Sequence, residues 1–256
     1  MLNPLSGGAV GAQEGDGEPK GLTPPSTLTS QVYERLRDEI VLCQLAPGQK
    51  LGLDLLKDRY HVGMSPLREA LYRLSASKLV ILEDRRGFRV APISPEHLAE
   101  VIELRKIVET TLLEDAFKHA SVRWESAIVA AYHGLQRTAD YKFNPGPYDR
   151  SWELAHREFH QALLSAARLP MLEEFHAALW HHTSRYRNLA YTGKPMPVQV
   201  FDGHKQLMEA AVSRDVELAC MLLRRHISLA TSHIMESVFP AKSKQPAPQL
   251  EAAEDH

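Results

Sequence analysis

The chain has 256 residues, of which 44% are hydrophobic and 24% are charged, and its formal net charge is −2. This composition is typical of a globular protein with an ordinary apolar core, and no apolar run approaches the roughly 20 residues that a membrane-spanning helix needs. The N-terminus also lacks the basic start and the continuous apolar core of a secretory signal, so we expect a cytoplasmic protein without a membrane partner.

Charge distribution and cysteine usage narrow the class of protein further. Residues 28–93 carry eleven Lys and Arg against eight Asp and Glu, a net charge of +3, which leaves −5 for the rest of the chain. This asymmetry is typical of a DNA-binding unit attached to an acidic one. Cys43 and Cys220 are far apart and make no metal-type spacing. We therefore predict no disulfide framework and interpret both as small apolar residues on helices.

The two ends of the chain are poor in large apolar residues. Residues 1–26 are rich in Gly, Pro and Ser, and residues 239–256 have a similar composition. Such segments cannot bury enough apolar surface to offset the entropy that is lost on ordering. We therefore predict two disordered tails around an ordered region from 27 to 238.

The ordered region begins with three predicted helices. Apolar residues at helical spacing start the first helix near Thr29, and the turn at 46–48 ends it. A shorter second helix ends at the turn at 61–63. Ser65 followed by Pro66 is a strong start signal for the third helix, with a hydroxyl cap and then proline at the first helical position.

Two short β-prone runs follow these helices, at 79–82 and 88–90, and charged residues and Gly87 separate them. Three helices and a hairpin within about 65 residues are the order of a winged helix-turn-helix. We assign this unit to residues 27–93.

A second cap-plus-proline signal, Ser94-Pro95, opens a region in which every periodic segment predicts a helix. Breaks rich in proline or glycine divide it at 144–147, 169–170 and 193–195. The predicted helices are 95–119, 123–140, 149–167, 170–191, 200–213 and 215–237. The sequence thus predicts a mainly α fold, in which the winged helix-turn-helix precedes an all-α antiparallel helical bundle over 94–238.

The third helix presents two faces. Its apolar stripe would pack on the first two helices, and Arg68 lies on the other face near the N-terminus, the part of a recognition helix that is closest to base edges. We predict that Arg68 contacts a base and that Ser65 and the first amides contact a phosphate. The alternative is that Arg68 and Arg73 only solvate an exposed helix. The predicted DNA-contacting residues, including the hairpin tip, are Ser65, Arg68, Glu69, Tyr72, Arg73, Arg85, Arg86, Gly87 and Arg89.

Four motifs follow one another in this unit: Leu45-Ala46-Pro47-Gly48, the run VGMSPLREAL from Val62 to Leu71, Leu79-Val80, and Arg86-Gly87-Phe88-Arg89-Val90. In this order they resemble the winged helix of the GntR family, which implies a DNA-binding transcriptional regulator. Met64 stands where the family usually has an arginine that contacts DNA, and Gly63 replaces a Ser or Thr. The resemblance therefore implies an operator that differs from the family's usual one.

The helical half carries the run ELRKIVE at 103–109, the run FHQAL at 159–163 and two later histidines. Over about residues 95–237 it resembles the FCD domain, the ligand-sensing domain of the FadR-type branch of the family. Such domains often bind a divalent metal through an Asp and three His, with an organic acid beside it. Three histidines match this set, and a fourth stands in place of the Asp. The implied metal ligands are His156, His160, His204 and His226, with His156 at the Asp position.

The spacing of the first two histidines is consistent with a shared ion, because i, i+4 residues lie on one helix face. Imidazoles suit Zn²⁺ or Ni²⁺, and a site without the carboxylate would be more positive and favour an anionic effector. Three alternatives remain open: four histidines hold the ion, Glu153 on the preceding turn supplies a carboxylate, or the metal is absent. His181, His182 and the remaining histidines match nothing, and we interpret them as surface residues.

Arg105 falls within the buried stripe of the first bundle helix. Burying an arginine is costly unless it is paired, and Glu109, one turn away, would be its structural partner. The resemblance implies instead that Arg105 binds an effector carboxylate. The candidate effector-binding residues are Arg105, Glu109, Arg185 and Arg187.

Together these features predict a homodimeric, metabolite-responsive repressor and not an enzyme. Two heads related by twofold symmetry would bind an inverted-repeat operator in double-stranded DNA, and a small carboxylate effector would release it. The rival from another class is a metal-dependent enzyme that uses the histidine cluster. The sequence carries no HExxH motif, and this rival leaves the first unit unexplained. The third hypothesis is a regulator that binds no metal, in which the histidines only form a polar pocket.

Overall fold

The computed structural model describes residues 27–138, 150–191 and 198–240. The predicted tails, apart from Phe239 and Pro240, lie outside the described residues, as do the predicted breaks at 144–147 and 193–195. Within the described ranges, no helix combines the length and the apolarity that crossing a membrane requires.

The first unit, which we call the head, has three helices and three strands. Its helices are α1 (Leu28–Val41), α2 (Leu53–Tyr60) and α3 (Met64–Ala76), and its strands are β1 (Lys50–Leu51), β2 (Val80–Glu83) and β3 (Gly87–Val90). The strands form an antiparallel sheet in the order β1-β3-β2. Strand β1 was not predicted, because two residues are too few to leave an alternating pattern.

Local signals explain most helix ends in the head. The Thr27 hydroxyl caps α1 by accepting a hydrogen bond from the Ser30 amide. Helix α2 ends where His61 adopts a left-handed conformation, with φ of +54°. Two predictions were wrong here. Helix α3 has Gly63 as its N-cap, so Ser65 lies inside the helix and does not cap it, and Cys43 lies in a turn after α1 with φ of +55°.

The head has its own hydrophobic core. Leu36, Leu67 and Leu71 are fully buried where α1 and α3 pack together. Leu51, Phe88 and Val90 of the sheet complete this cluster. The prediction of a winged helix-turn-helix unit is confirmed.

The second unit, which we call the body, contains six helices among the described residues. They are α4 (Pro95–Lys118), α5 (Val122–Thr138), α6 (Arg150–Leu164), α7 (Pro170–Tyr191), α8 (Val198–Val212) and α9 (Val216–Val238). Each lies within three residues of its predicted bounds, and the Ser94 hydroxyl caps α4 with Pro95 in its first turn, as predicted. The all-helical prediction for this half is confirmed.

Helix α4 is central in the body, where it packs against α6, α7 and α9. Helix α5 packs against α6 and α8, and α8 packs against α9. The resulting core brings the inner faces of α4, α6, α8 and α9 close together. Phe239, which we assigned to the tail, packs on this core and lies 6.2 Å from the Tyr186 ring, so the ordered region extends past its predicted end.

Candidate functional site

The outer face of α3 is polar and exposed, as predicted. Leu67, Ala70, Leu71 and Leu74 are buried against the head core. The residues on the opposite face are Ser65, Arg68, Glu69, Tyr72 and Arg73, all of them exposed. The N-terminal half of α3 therefore offers a guanidinium and a hydroxyl to a partner.

Three of these side chains also contact the rest of the head. Glu69 accepts a hydrogen bond of 3.3 Å from the Thr29 hydroxyl. The Arg73 guanidinium lies 4.2 Å from the centroid of the Tyr33 ring, a cation–π distance. The Tyr72 ring meets Phe88 of β3 edge-on, with 5.3 Å between centroids. These contacts fix the orientation of α3 against α1 and the hairpin.

The hairpin tip is basic and tightly turned. Gly87 has φ of +85° and Arg85 has φ of +59°, and both Arg85 and Arg86 are exposed. Arg89 differs from them, because its guanidinium pairs with Glu83 at 2.8 Å and donates to the Gly48 carbonyl at 2.6 Å. Arg89 therefore braces the sheet, whereas the two tip arginines project from it.

In the body, four buried histidines meet at one point. His156 and His160 come from α6, His204 from α8 and His226 from α9. Their candidate ligand atoms all lie within 4.8 Å of one another, and the His204 and His226 rings are 4.3 Å apart between centroids. The structure thus brings together the four residues that the sequence proposed as metal ligands.

A glycine allows α8 and α9 to approach at this cluster. A Cβ atom built on Gly203 would lie 2.8 Å from the His226 Nδ1 atom, closer than real Cβ contacts occur. Any side chain at this position would push the imidazole away from the other three.

Burial keeps these imidazoles neutral. It lowers the pKa of His156, His160 and His226 well below the usual value, and repulsion from neighbouring histidines and from Arg187 acts in the same direction. Among the described residues, His156 Nδ1, His160 Nε2 and His226 Nδ1 have no hydrogen-bond partner.

Several buried ring nitrogens without partners are costly. One divalent ion would satisfy them with the neutral lone pairs that metal ligation requires. The donor set therefore fits Zn²⁺ or Ni²⁺.

Glu153 does not join this cluster. Its carboxylate pairs with Arg187 at 2.6 Å and accepts a hydrogen bond of 2.6 Å from the Ser184 hydroxyl. Its nearest approach to His156 Nδ1 is 3.9 Å. The geometry thus favours four histidines over a set in which Glu153 supplies a carboxylate ligand.

A small cavity of about 20 Å³ adjoins the histidines. Arg105 and Arg187 project guanidinium groups towards it, and both lie over the Trp180 ring, at 5.1 and 4.6 Å from the centroid. The remaining lining residues outside the histidine cluster are Trp152, Thr183, Tyr191, Ile227, Ala230, Thr231 and Ile234. Sequence reasoning missed Trp152, Thr183 and Tyr191, although each lies four residues from a predicted site residue.

Arg105 forms an ion pair and also lines the cavity. Its Nε atom lies 2.6 Å from the Glu109 carboxylate, which is fully buried. Burial alone would raise the pKa of Glu109, but Arg105 and His176 outweigh it and hold that pKa at about 2. The structural pair with Glu109 is therefore present, and Arg105 also lines the cavity; its binding of an effector carboxylate stays a prediction.

Two predictions about α7 were wrong. Arg185 does not line the cavity, because its fully buried guanidinium donates to the Ala91 carbonyl on the side of α7 that faces the head. His182 and His176 are buried rather than on the surface, and His181 is partly buried. The His182 Nε2 atom lies 2.9 Å from the Ser77 carbonyl of the head.

Comparison with known families assigns both halves of the chain. Residues 28–90 match the model of the bacterial regulatory proteins of the gntR family. Residues 100–229 match the FCD domain model.

Similar proteins span nearly the same length. The HTH-type transcriptional regulator BphR of Paraburkholderia xenovorans is 32% identical over 86% of this chain and 91% of that protein. The HTH-type transcriptional repressor GlaR of Escherichia coli is 30% identical over 78% of this chain and 93% of that protein. Among solved structures, E. coli McbR/YncC shares the fold with a TM-score of 0.70 at 19% identity, covering 82% of this chain and 98% of that one.

Proposed function

The chain belongs to the GntR family of bacterial transcriptional regulators and carries an FCD domain, and we propose that it is a homodimeric repressor released by a small organic acid. The acid would bind beside a metal ion in the body and lower the affinity of the two heads for an inverted-repeat operator. The observation that supports this proposal is the body site, where four buried histidines cluster and three of them, with Arg105 and Arg187, line one cavity.

We assign the DNA contacts to the exposed face of α3 and to the hairpin tip. Arg68 would contact a base, because its guanidinium can make two hydrogen bonds to guanine in the major groove. Ser65 would contact a phosphate, and Arg85 and Arg86 would lie over the backbone or in the minor groove. We assign Arg89 a bracing role in the hairpin instead, because its guanidinium bonds to Glu83 and to the Gly48 carbonyl.

The metal would be held by His156, His160, His204 and His226. A bound divalent ion would supply a positive centre that attracts an anionic oxygen of the effector. A carboxylate oxygen of Glu109 lies 3.8 Å from the Nδ1 atom of His160, one of these four histidines. At this distance the carboxylate does not hydrogen-bond the imidazole, and it would act on a metal-bound His160 through its negative charge.

Charge balance in the body indicates the class of effector. Arg105 is offset by Glu109 and Arg187 by Glu153, and the ligating imidazoles are neutral. A divalent ion would therefore leave the site with a net charge of +2 before the effector binds. A dianion such as a short dicarboxylate neutralises this charge, whereas a monocarboxylate leaves half of it.

A DNA-binding titration tests the proposal. The wild-type protein should bind an inverted repeat, selected from a random duplex library, with its affinity falling when metal and a short dicarboxylate are added together. Arg68→Ala should weaken that binding about 5- to 150-fold, the range for one bidentate base contact. The matched control is Arg123→Ala, exposed on α5 of the body, which should bind as the wild type does.

Two results would contradict the proposal. One is the absence of binding to any inverted repeat at low salt. The other is a protein, purified without an affinity tag or chelator, that contains no metal on elemental analysis and binds none. The second result would leave a metal-free sensor as the better reading of the body.

A further inference from the structure

Helix α7 contacts two different parts of the molecule with two different faces. Thr183, Arg187 and Tyr191, at four-residue spacing, line the cavity beside the histidines. His182, Arg185 and Asn188, at three-residue spacing, contact the head. At about 100° per residue, these two sets point in roughly opposite directions.

The head-facing side chains all bond to backbone carbonyls at the ends of head elements. His182 Nε2 lies 2.9 Å from the carbonyl of Ser77, the C-cap residue of α3. Asn188 donates at 2.8 Å to the carbonyl of Val41, the last residue of α1. Carbonyls at a helix C-terminus have no partner within the helix, so α7 supplies the caps for the recognition helix and for α1.

The third of these contacts involves a poorly satisfied charge. Arg185 is fully buried and donates to the Ala91 carbonyl, but its Nε and Nη1 atoms have no hydrogen-bond partner among the described residues. Arg187, two residues later, instead pairs with Glu153 and Ser184. A buried arginine without a carboxylate is costly, so the closed junction is destabilised relative to an opened one in which water solvates Arg185.

The cavity face of α7 is tightly packed against its surroundings. A volume of about 20 Å³ holds little more than one water molecule. A short dicarboxylate needs more room than this, so its entry must move a wall of the cavity. Helix α7 forms one of those walls.

We propose that α7 transmits effector binding to the DNA-binding helix: an occupant of the cavity displaces α7, and the junction that His182, Arg185 and Asn188 make with the ends of α1 and α3 opens. This inference rests on the proposed function for its effector. The junction itself is defined by contacts of the described residues and is testable without any ligand.

The test measures how fast the Cys43 thiol reacts with a disulfide reagent in the full-length protein. The Cys43 Sγ atom lies 3.6 Å from the Arg185 carbonyl, at the junction, and Cys220→Ser removes the other cysteine. In this background Arg185→Met should raise the melting temperature, because an apolar side chain of similar length removes the buried charge. Because burial raises the pKa of the Cys43 thiol and Arg185 acts to lower it, labelling rates are measured over a range of pH and corrected for the thiolate fraction. The corrected rate should be at least threefold lower in Arg185→Met. His182→Ala should speed the labelling of Cys43 about fivefold, because the variant loses one hydrogen bond that holds the junction closed, and one net hydrogen bond corresponds to about this factor.

The control is Arg224→Met, exposed on α9, which should label at the wild-type rate. Adding Zn²⁺ and then malonate, as probes, should accelerate labelling of the wild type, and this acceleration should be at least threefold smaller in Arg185→Met. Faster labelling and a lower melting temperature in Arg185→Met without ligand would overturn the inference, since Arg185 would then be holding the junction closed.

The inference would also be overturned if the probes accelerated Cys43 labelling equally in the wild type and in Arg185→Met. If neither probe binds any variant, the proposed effector class fails. The ligand-free labelling rates still decide whether the junction behaves as inferred.

Discussion

Gly203 lies so close to the imidazole of His226 that a Cβ atom at this position would be only 2.8 Å from the His226 Nδ1 atom. One residue further on, His204 joins the same cluster. The approach of these two helices therefore sets the distance between two of the four proposed metal ligands.

Gly203→Ala should weaken metal binding about 10- to 100-fold, the range seen when the surroundings of a ligating histidine are altered. Alanine favours a helix over glycine by about 1 kcal/mol, so the loss is not a consequence of poorer helix formation. Gly134→Ala, on α5 with open space around its Cβ position, should keep the wild-type metal affinity. Competition with a chromophoric chelator measures the metal affinity of both variants. Equal affinities would contradict the assignment of the four histidines as metal ligands.

Removing the metal should lower the stability of the whole chain. A ligand present at about 100 times its Kd stabilises the folded state by about 2.7 kcal/mol. For a domain of 150–250 residues this corresponds to a fall in Tm of roughly 5–11 °C. Thermal unfolding before and after chelator treatment checks this, with Zn²⁺ or Ni²⁺ added back. In His160→Ala the chelator should have no effect, and an effect as large as in the wild type would place the metal elsewhere.

Glu109→Gln should destabilise the body by about 3–5 kcal/mol, because it leaves the Arg105 charge buried without a partner. The double variant Arg105→Met with Glu109→Gln should recover most of that loss, since no buried charge remains. Urea unfolding of the wild type, the two single variants and the double variant gives the coupling energy. A double variant that is no more stable than Glu109→Gln would show that the ion pair is not the source of the effect.

Stability should fall as the pH drops from about 6.5 to 4, and His182 should contribute to that slope. Burial lowers the pKa of His182 to about 4, against the hydrogen bond to Ser77, and His97 and Arg185, which face the ring, act in the same direction as burial. In this pH range the folded state keeps the imidazole neutral, whereas the unfolded chain binds a proton there. Proton binding stabilises the unfolded state, so the free energy of unfolding falls as the pH drops.

His182→Gln should flatten the pH dependence of the free energy of unfolding between pH 4 and 6.5. Its control is His133→Gln, exposed on α5, which should keep the wild-type slope. Urea unfolding at several pH values gives the free energy of unfolding of both variants and of the wild type. A slope in His182→Gln equal to that of the wild type would mean that other groups carry the effect.

The wing arginines should separate into a DNA-contacting and a structural role. Arg86→Ala should weaken DNA binding equally for all sequences, reduce the salt slope by about 1 and leave the melting temperature unchanged. Arg89→Ala should lower the melting temperature as well, because the Glu83 pair and the bond to the Gly48 carbonyl are lost. Fluorescence anisotropy at several salt concentrations, with thermal unfolding, checks both. A drop in melting temperature for Arg86→Ala would contradict this division.

Sequence reasoning succeeded where the signal is local. The helices of the body follow from periodicity and from proline and glycine breaks, and the four histidines follow from motif positions that the helices then bring together. The helix bounds depend on residues within a few turns of one another, whereas the histidine set comes from three helices and was implied by the resemblance to the FCD domain. The order of elements in the head follows in the same way.

The misassignments in α7 share one physical cause. Arg185 and Arg187 look alike in the sequence, and only the packing of α7 between the head and the histidine cluster gives them opposite surroundings. His182 is buried because the end of α3 lies against it. Both sides of a helix that is enclosed by two units can be buried, and no periodicity within the helix reports which neighbour covers which side.

The two-residue strand β1 has a consequence for the operator. It joins the loop after α1 to the hairpin, with Lys50 opposite Arg89, and the Gly48 amide bonds to the Val90 carbonyl. Helix α3 and the hairpin therefore belong to one rigid unit, and in the proposed mode of DNA binding the offset between their contacts within a half-site has a single value. For the proposed dimer, natural target sequences should accordingly vary in the number of base pairs between half-sites, where only the position of one head relative to the other must change.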